Sequence, residues 1–349
     1  MSAFASGCAG APVATRSAHD AAPKAQDVQR SDMHANCTQT ENLDRAAAHL
    51  LNRKQLTPAD LDAALRLSGA SHVWPKALRV ERDREGAMRA LQDWLAARGG
   101  SGECGVAMRQ LGAGHVEALV LSAEKPAELT PLPLTARVGQ WMEVRVRVPG
   151  ATSPPQAYAV APNGQIRNLR MSDDNGSYRT RFALSSPGRF TLQLTADLGR
   201  GPRPVAEAWI FADVAPTEPE ISAPSGAQDI ASLITESRAA AGLGPLRRES
   251  ALDRVALEHA SQMARRQTLA HELEGSTPTT RLDAAHVQWE RSGENVAHAA
   301  TEAEAHQALL RSPSHRANIL NAEYTHVGIG VSHDPKDDSV WVCEVFVRP

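Results

Sequence analysis

The sequence predicts a multidomain α+β protein, and three observations carry that prediction. The chain has 349 residues with a hydrophobic fraction of 42%, which is room for two or three cores at roughly 150 residues each. Its apolar pattern changes from helical spacing between residues 42 and 98 to short alternating runs between 142 and 214, and period two marks half-buried strands. A proline-rich stretch, APTEPEISAPSGA at 215–227, then separates the alternating region from a further segment of helices and strands. Charge adds an exclusion. Lys plus Arg number 37 against 40 Asp plus Glu, a net charge of -3, so the basic surplus that a phosphate backbone attracts is missing and no nucleic-acid partner is expected. No run approaches the roughly 20 apolar residues of a spanning helix, so no transmembrane span is expected either.

Residues 1–38 read as a leader or disordered tether. MSAFASGCAG at 1–10 resembles the end of a lipoprotein signal, in which Cys8 is lipidated if the true start lies upstream. An extracytoplasmic location follows from that reading, and a cytoplasmic tail is the alternative. Residues 39–125 predict a small α+β module. Leu43, Ala46, Ala47, Leu50 and Leu51 recur at helical spacing, and Thr57-Pro58 supplies an N-cap and first-turn proline for a second helix. A third helix over Glu85–Arg98 buries Met88, Leu91, Trp94 and Leu95 and stops at Gly99-Gly100, after which GVAMRQL and VEALVL predict two strands. His72, His115 and Cys104 form no ligand spacing and read as structural. The four cysteines, Cys8, Cys37, Cys104 and Cys343, leave their pairing undecided.

Residues 130–214 predict an Ig-like β-sandwich. MEVRVRV, QAYAV, YRTRFAL, RFTLQLTA and AEAWIFADV are joined by Pro-Asn-Gly, Asp-Asn-Gly and Pro-Gly turns, the pattern of an antiparallel sandwich. Beyond the 215–227 linker, Ile230, Leu233 and Ile234 start a helix that Gly242 and Gly244 end. A longer helix covers Ser250–Gln267, with His259 inside its apolar stripe and read as core. His271 follows just past its end. Gly293-Glu294-Asn295-Val296 enters from a turn, Glu302–Arg311 predicts another helix, and Ser312-Pro313 caps one that carries His315 in its opening turn. There the positive helix end favours neutral imidazole, the form that binds metal or accepts a proton. THVGIGVSH and VWVCEVFV close the chain as adjacent strands.

ESRAAAGLGPLRRESAL, EHASQMARR, His271, SGENVAHA, SPSHRANILNAEYTHVGIGV and VWVCEVFV occur in that order over about 120 residues. Residues 228–349 thereby resemble a bacterial member of the CAP superfamily, the SCP-like extracellular domain shared with cysteine-rich secretory proteins, antigen 5 and pathogenesis-related proteins of group 1. The resemblance implies a three-layer α-β-α sandwich. It also implies a cleft lined by two histidines and two acidic residues, which in some members holds a divalent metal. His271, Glu294 and His315 match three of these positions, with His271 and His315 as the metal-ligand candidates. Glu302 and Glu304 are the candidates for the second acid, and Leu309 stands where bacterial relatives usually carry tryptophan.

Two imidazoles and a carboxylate suffice in number for Zn²⁺ or another divalent metal. The chain lacks an HExxH helix and a GxSxG segment, the usual signs of a zinc protease or a serine hydrolase. The leading expectation is an exported, non-enzymatic protein that binds a lipid, sterol or cell-envelope ligand, with any protein partner meeting the N-terminal modules. A metal-assisted hydrolase acting on peptide or cell-envelope substrate is the competing expectation, and a structural surface module the third.

Overall fold

The computed structural model describes residues 37–53, 56–97, 102–112, 114–199, 201–218, 229–334 and 338–349. The expected leader with Cys8, the Gly99-Gly100 stop, most of the 215–227 linker and the tip of the turn between Asp334 and Asp338 lie outside these residues. The fold is mixed α and β, with four sheets and eight helices among the described residues.

The first sheet gathers β1 (Cys37–Gln39), β2 (Val73–Asp83), β3 (Gly102–Gly112) and β4 (His115–Glu124) in the order β1-β3-β4-β2. Helices α1 (Glu41–Leu50) and α2 (Pro58–Leu67) bury Leu43, Leu50 and Leu65 against Leu119 and Leu121, while α3 (Arg84–Ala96) covers the other face through Leu91 and Leu95. Thr57 caps α2 in a reciprocal box with Asp60, as the Thr-Pro signal implies. Strand β2 is not among the elements expected from sequence because Pro75 interrupts it. A register shift between Val73 and Lys76 absorbs the proline, the usual way a strand tolerates one. A disulfide joins Cys37 to Cys104, so Cys37 and Thr38, assigned above to the leader, pair in parallel with β3. Cys343 is free and buried.

Nine strands follow: β5 (Glu128–Leu129), β6 (Thr135–Ala136), β7 (Trp141–Arg147), β8 (Gln156–Val160), β9 (Ile166–Leu169), β10 (Ser172–Asp174), β11 (Ser177–Ala183), β12 (Gly188–Asp197) and β13 (Pro202–Ala212). They form two sheets, β10-β11-β7-β5 and β6-β13-β12-β8-β9. Met142, Val144 and Val146 from one sheet meet Leu192, Leu194 and Ile210 from the other in one core, because alternation turns every second residue inward.

The last sheet has the order β14-β16-β17-β15, from β14 (Arg247–Arg248), β15 (Arg291–Ala299), β16 (His326–His333) and β17 (Val340–Arg348). Alternate residues of β17 face opposite layers. Trp341, Cys343, Val345 and Val347 pack with α5 (Ser250–Arg266) and α6 (Pro278–Ala284). Val340, Val342 and Phe346 pack with α4 (Ile230–Ala240), α7 (Glu302–Arg311) and α8 (Pro313–Ile319). Gly328 and Gly330 on β16 let α5 sit directly on the sheet, since a Cβ at either position would lie 2.2 Å from its backbone. The arrangement is the α-β-α layering that the resemblance implied.

The regions are joined by polar contacts. Arg66 on α2, 1% exposed, donates to the carbonyls of Ala70, His72 and Glu207 and pairs with Asp62 at 3.1 Å. Gln193 on β12 donates to Glu207 at 2.9 Å and to Ser312 at 3.2 Å, and its carbonyl accepts from the Ser314 amide at 3.0 Å. The Ser312 hydroxyl is thus engaged by β12 and makes no side-chain cap on α8, which corrects the capping expected at that residue.

Candidate functional site

Strand β15 carries Glu294 into the space between α5, α6 and α8, where its side chain is 2% exposed. One carboxylate oxygen accepts from His271 Nδ1 at 2.9 Å and lies 3.9 Å from His259 Nε2. The other accepts from Arg281 on α6 and from the Cys343 thiol. Burial raises the Glu294 pKa, but the His271 hydrogen bond and the charges of His271, Arg281 and His259 outweigh it, and the carboxyl sits below its usual range. It is therefore ionised at neutral pH and accepts the proton that His271 carries on Nδ1. His315 follows at 6.4 Å between ring centroids. It keeps some accessible surface while protein encloses it.

Asn295 braces the His315 backbone. Its amide donates to the His315 carbonyl at 3.1 Å and to the buried Glu344 at 2.8 Å, and its oxygen accepts from Asn318 at 2.9 Å. Behind it, Glu344 lies 3.9 Å from His306, whose Nε2 meets the Ser237 hydroxyl at 2.8 Å. At Gly201, in the connection between β12 and β13, a Cβ would come within 2.8 Å of the His271 Cβ.

The profile of the cysteine-rich secretory protein family, CAP, matches residues 231–345. This segment is a CAP domain. The curated relative YlbC, an uncharacterized membrane protein of Bacillus subtilis, is 32% identical over 92 residues, which are 26% of this chain and 27% of the relative, so the match spans about a quarter of that protein. Among solved structures, an outer surface protein of Borrelia burgdorferi is 25% identical with a TM-score of 0.33, covering 34% of this chain and 90% of that one. An extracellular protein with an SCP domain from Bacillus anthracis is 19% identical with a TM-score of 0.32, covering 64% and 89%.

Within the CAP domain, three of the expected site residues, His271, Glu294 and His315, come together. The fourth does not. Glu302 accepts from the Ile230 amide at 3.0 Å and so caps α4, and the Glu304 amide donates to Thr301 in the first turn of α7. Arg281 takes the remaining place beside Glu294. Sequence reasoning missed Arg281 because α6 has only Leu282 buried and no apolar periodicity. His259, read as core, is fully buried and bonds the Ala270 carbonyl.

The donor set falls short of a tetrahedral metal centre. Both oxygens of Glu294 are engaged, which leaves the two imidazoles as the uncommitted donors of this set among the described residues. Among the described residues no group of three His, Cys, Asp or Glu side chains is arranged to hold a metal.

Neutral His315 has a different origin from the helix-end effect anticipated above. Burial first, and then neighbouring His271, push its pKa down to about 3. The unfolded chain takes up a proton near pH 6.5 that the folded chain refuses, so this group's contribution to stability is lost as pH falls from 6.5 toward 3. Glu207 works in the opposite sense. Burial and Asp62 push its pKa up from 4.5 to about 7, so stability is lost as pH rises from 4.5 to about 7, where the unfolded chain ionises and the folded one holds its proton. Comparison with a variant isolates His315. Between pH 7 and 4.5, wild type should lose about 2 kcal/mol more than His315→Gln, read from urea midpoints at the two pH values. Parallel losses in the two proteins would refute the assignment.

Proposed function

We propose that the chain is an exported CAP-domain protein that binds a small lipid, sterol or other cell-envelope ligand at the cleft of His271, Glu294 and His315 without transforming it. The observation that carries the reading is the ion-paired state of Glu294. A carboxylate held by Arg281 and His271 on its two oxygens is a poor general base, because its proton affinity is depressed. It serves instead to hold the His271 ring with Nε2 ready to accept a hydrogen bond. Neutral His315 adds a second polar contact in enclosed surroundings, where such bonds contribute more than in water. Arg281 and the engaged carboxylate weigh against metal-assisted hydrolysis.

Export is supported by the Cys37–Cys104 disulfide, since such bonds persist in oxidising compartments. The two facing central sheets act in this reading as an Ig-like spacer between the N-terminal module and the CAP domain. Among the described residues no helix is long and apolar enough to cross a membrane.

Sedimentation of the purified protein with vesicles of envelope lipid, with and without sterol, tests the proposal. Saturable, reversible binding that weakens at least tenfold in a folded His271→Ala variant is expected. No binding to any vesicle, or equal binding by the variant, would overturn the cleft reading.

A further inference from the structure

A cavity of about 280 Å³ lies where the central sheets meet α8, and Pro162, Gly164, Arg189, Thr191, Glu218 and Arg316 are among its walls. Its cations have no anion of their own. Arg316 Nε is buried without a hydrogen-bond partner, and no described carboxylate pairs with the guanidinium. Arg189 stacks 4.4 Å over the Trp209 ring. The carboxylates it senses, Asp62 and Glu207, are both engaged by Arg66. Glu218, the acid on the wall, is held from α1 by Arg53 and His49.

Burial depresses the pKa of both arginines, offset in part at Arg189 by Glu207 and Asp62 and acting alone at Arg316. The backbone is shaped around one of them. Gly164 has φ +82°, a conformation L side chains rarely adopt, and a Cβ there would stand 2.7 Å from Arg316 Nη2. Both guanidinium groups are half-buried, enclosing such a charge without a paired carboxylate is costly, and two beside one cavity are best stabilised by an anion from outside the chain.

We propose that this cavity binds a phosphate group, held by the guanidinium groups of Arg189 and Arg316 with the Thr191 hydroxyl as a further donor. One guanidinium fork saturates a planar carboxylate. Two forks from separate elements, β12 and α8, suit a tetrahedral oxyanion that presents oxygens in several directions. The inference does not depend on ligand binding at the cleft, which has its own residues and its own test.

Isothermal titration of the full-length protein with inorganic phosphate, and separately with glycerol phosphate, at low ionic strength and pH 7 decides the matter. One saturable site is expected. Tighter binding of the ester would identify the occupant as the head of a larger molecule, and tighter binding of the inorganic ion would identify free phosphate; both support the site. Affinity should fall at least tenfold in Arg316→Gln and Arg189→Gln, and by less in Arg316→Lys, which keeps the charge and loses the fork. Arg265→Gln, at an exposed ion pair with Glu258, should bind as wild type does. Absence of saturable heat with both probes, or unchanged affinity in folded Arg316→Lys and Arg189→Gln proteins, would overturn the proposal.

Discussion

Glu294→Ala should lower the stability of the CAP domain by about 3–5 kcal/mol, the range expected when one partner of a buried ion pair is removed. Arg281, with its side chain 8% exposed, would keep its bonds to the carbonyls of His271 and Ser276 but lose the one carboxylate that pairs with it among the described residues. His271 Nδ1 and the Cys343 thiol would lose their acceptor as well. The cost comes from the uncompensated charge more than from the lost attraction. A double variant, Glu294→Ala with Arg281→Met, should therefore be less destabilised than Glu294→Ala alone or nearly equal to it. Urea unfolding of the wild type, both singles and the double measures the coupling. A loss below about 1 kcal/mol in Glu294→Ala, outside the buried-pair range, would mean that the carboxylate is not enclosed as described.

Loss of the Cys37–Cys104 bridge should be comparably severe, but in the N-terminal region. The two cysteines are 67 residues apart, and closing a loop of that length in the unfolded chain is worth about 4 kcal/mol in the chain-entropy description. Strand β1 has only three residues paired with β3, so little else holds that end. Cys37→Ser, or wild type in reductant, should show an earlier first unfolding transition while the transition of residues 230–348 stays in place. Differential scanning calorimetry with and without reductant reads this directly. Superimposable traces would contradict it.

Much of the architecture is legible in the sequence because the side chains alternate or recur as their elements require. Val144, Val146, Leu192 and Leu194 point inward from period-two runs, and Leu252, Ala256 and Met263 line one face of α5. The failures have local causes. Pro75 and exposed charges conceal β2, which is only half-buried. Strand β15 is not assigned as a strand from the sequence because its first buried residues are Glu294 and Asn295, polar groups whose partners come from α5, α6, α8 and β17. The same distance in sequence hides the disulfide and Arg281. His271, Glu294 and His315 are found through resemblance to a family pattern; Glu302 and Glu304 are drawn in by that pattern too, yet Glu302 caps a helix.

The close approach of Gly201 to His271 brings two separate stretches of the chain together. One is the segment 231–345, which matches the family profile; the other is the connection between β12 and β13, and connections diverge more readily than the elements they join. Substitution in that connection can thus change the surroundings of His271 while the carboxy-terminal segment stays the same. Two proteins with the same carboxy-terminal third can therefore differ beside His271, and exchanging that connection between homologues is a direct way to see the difference.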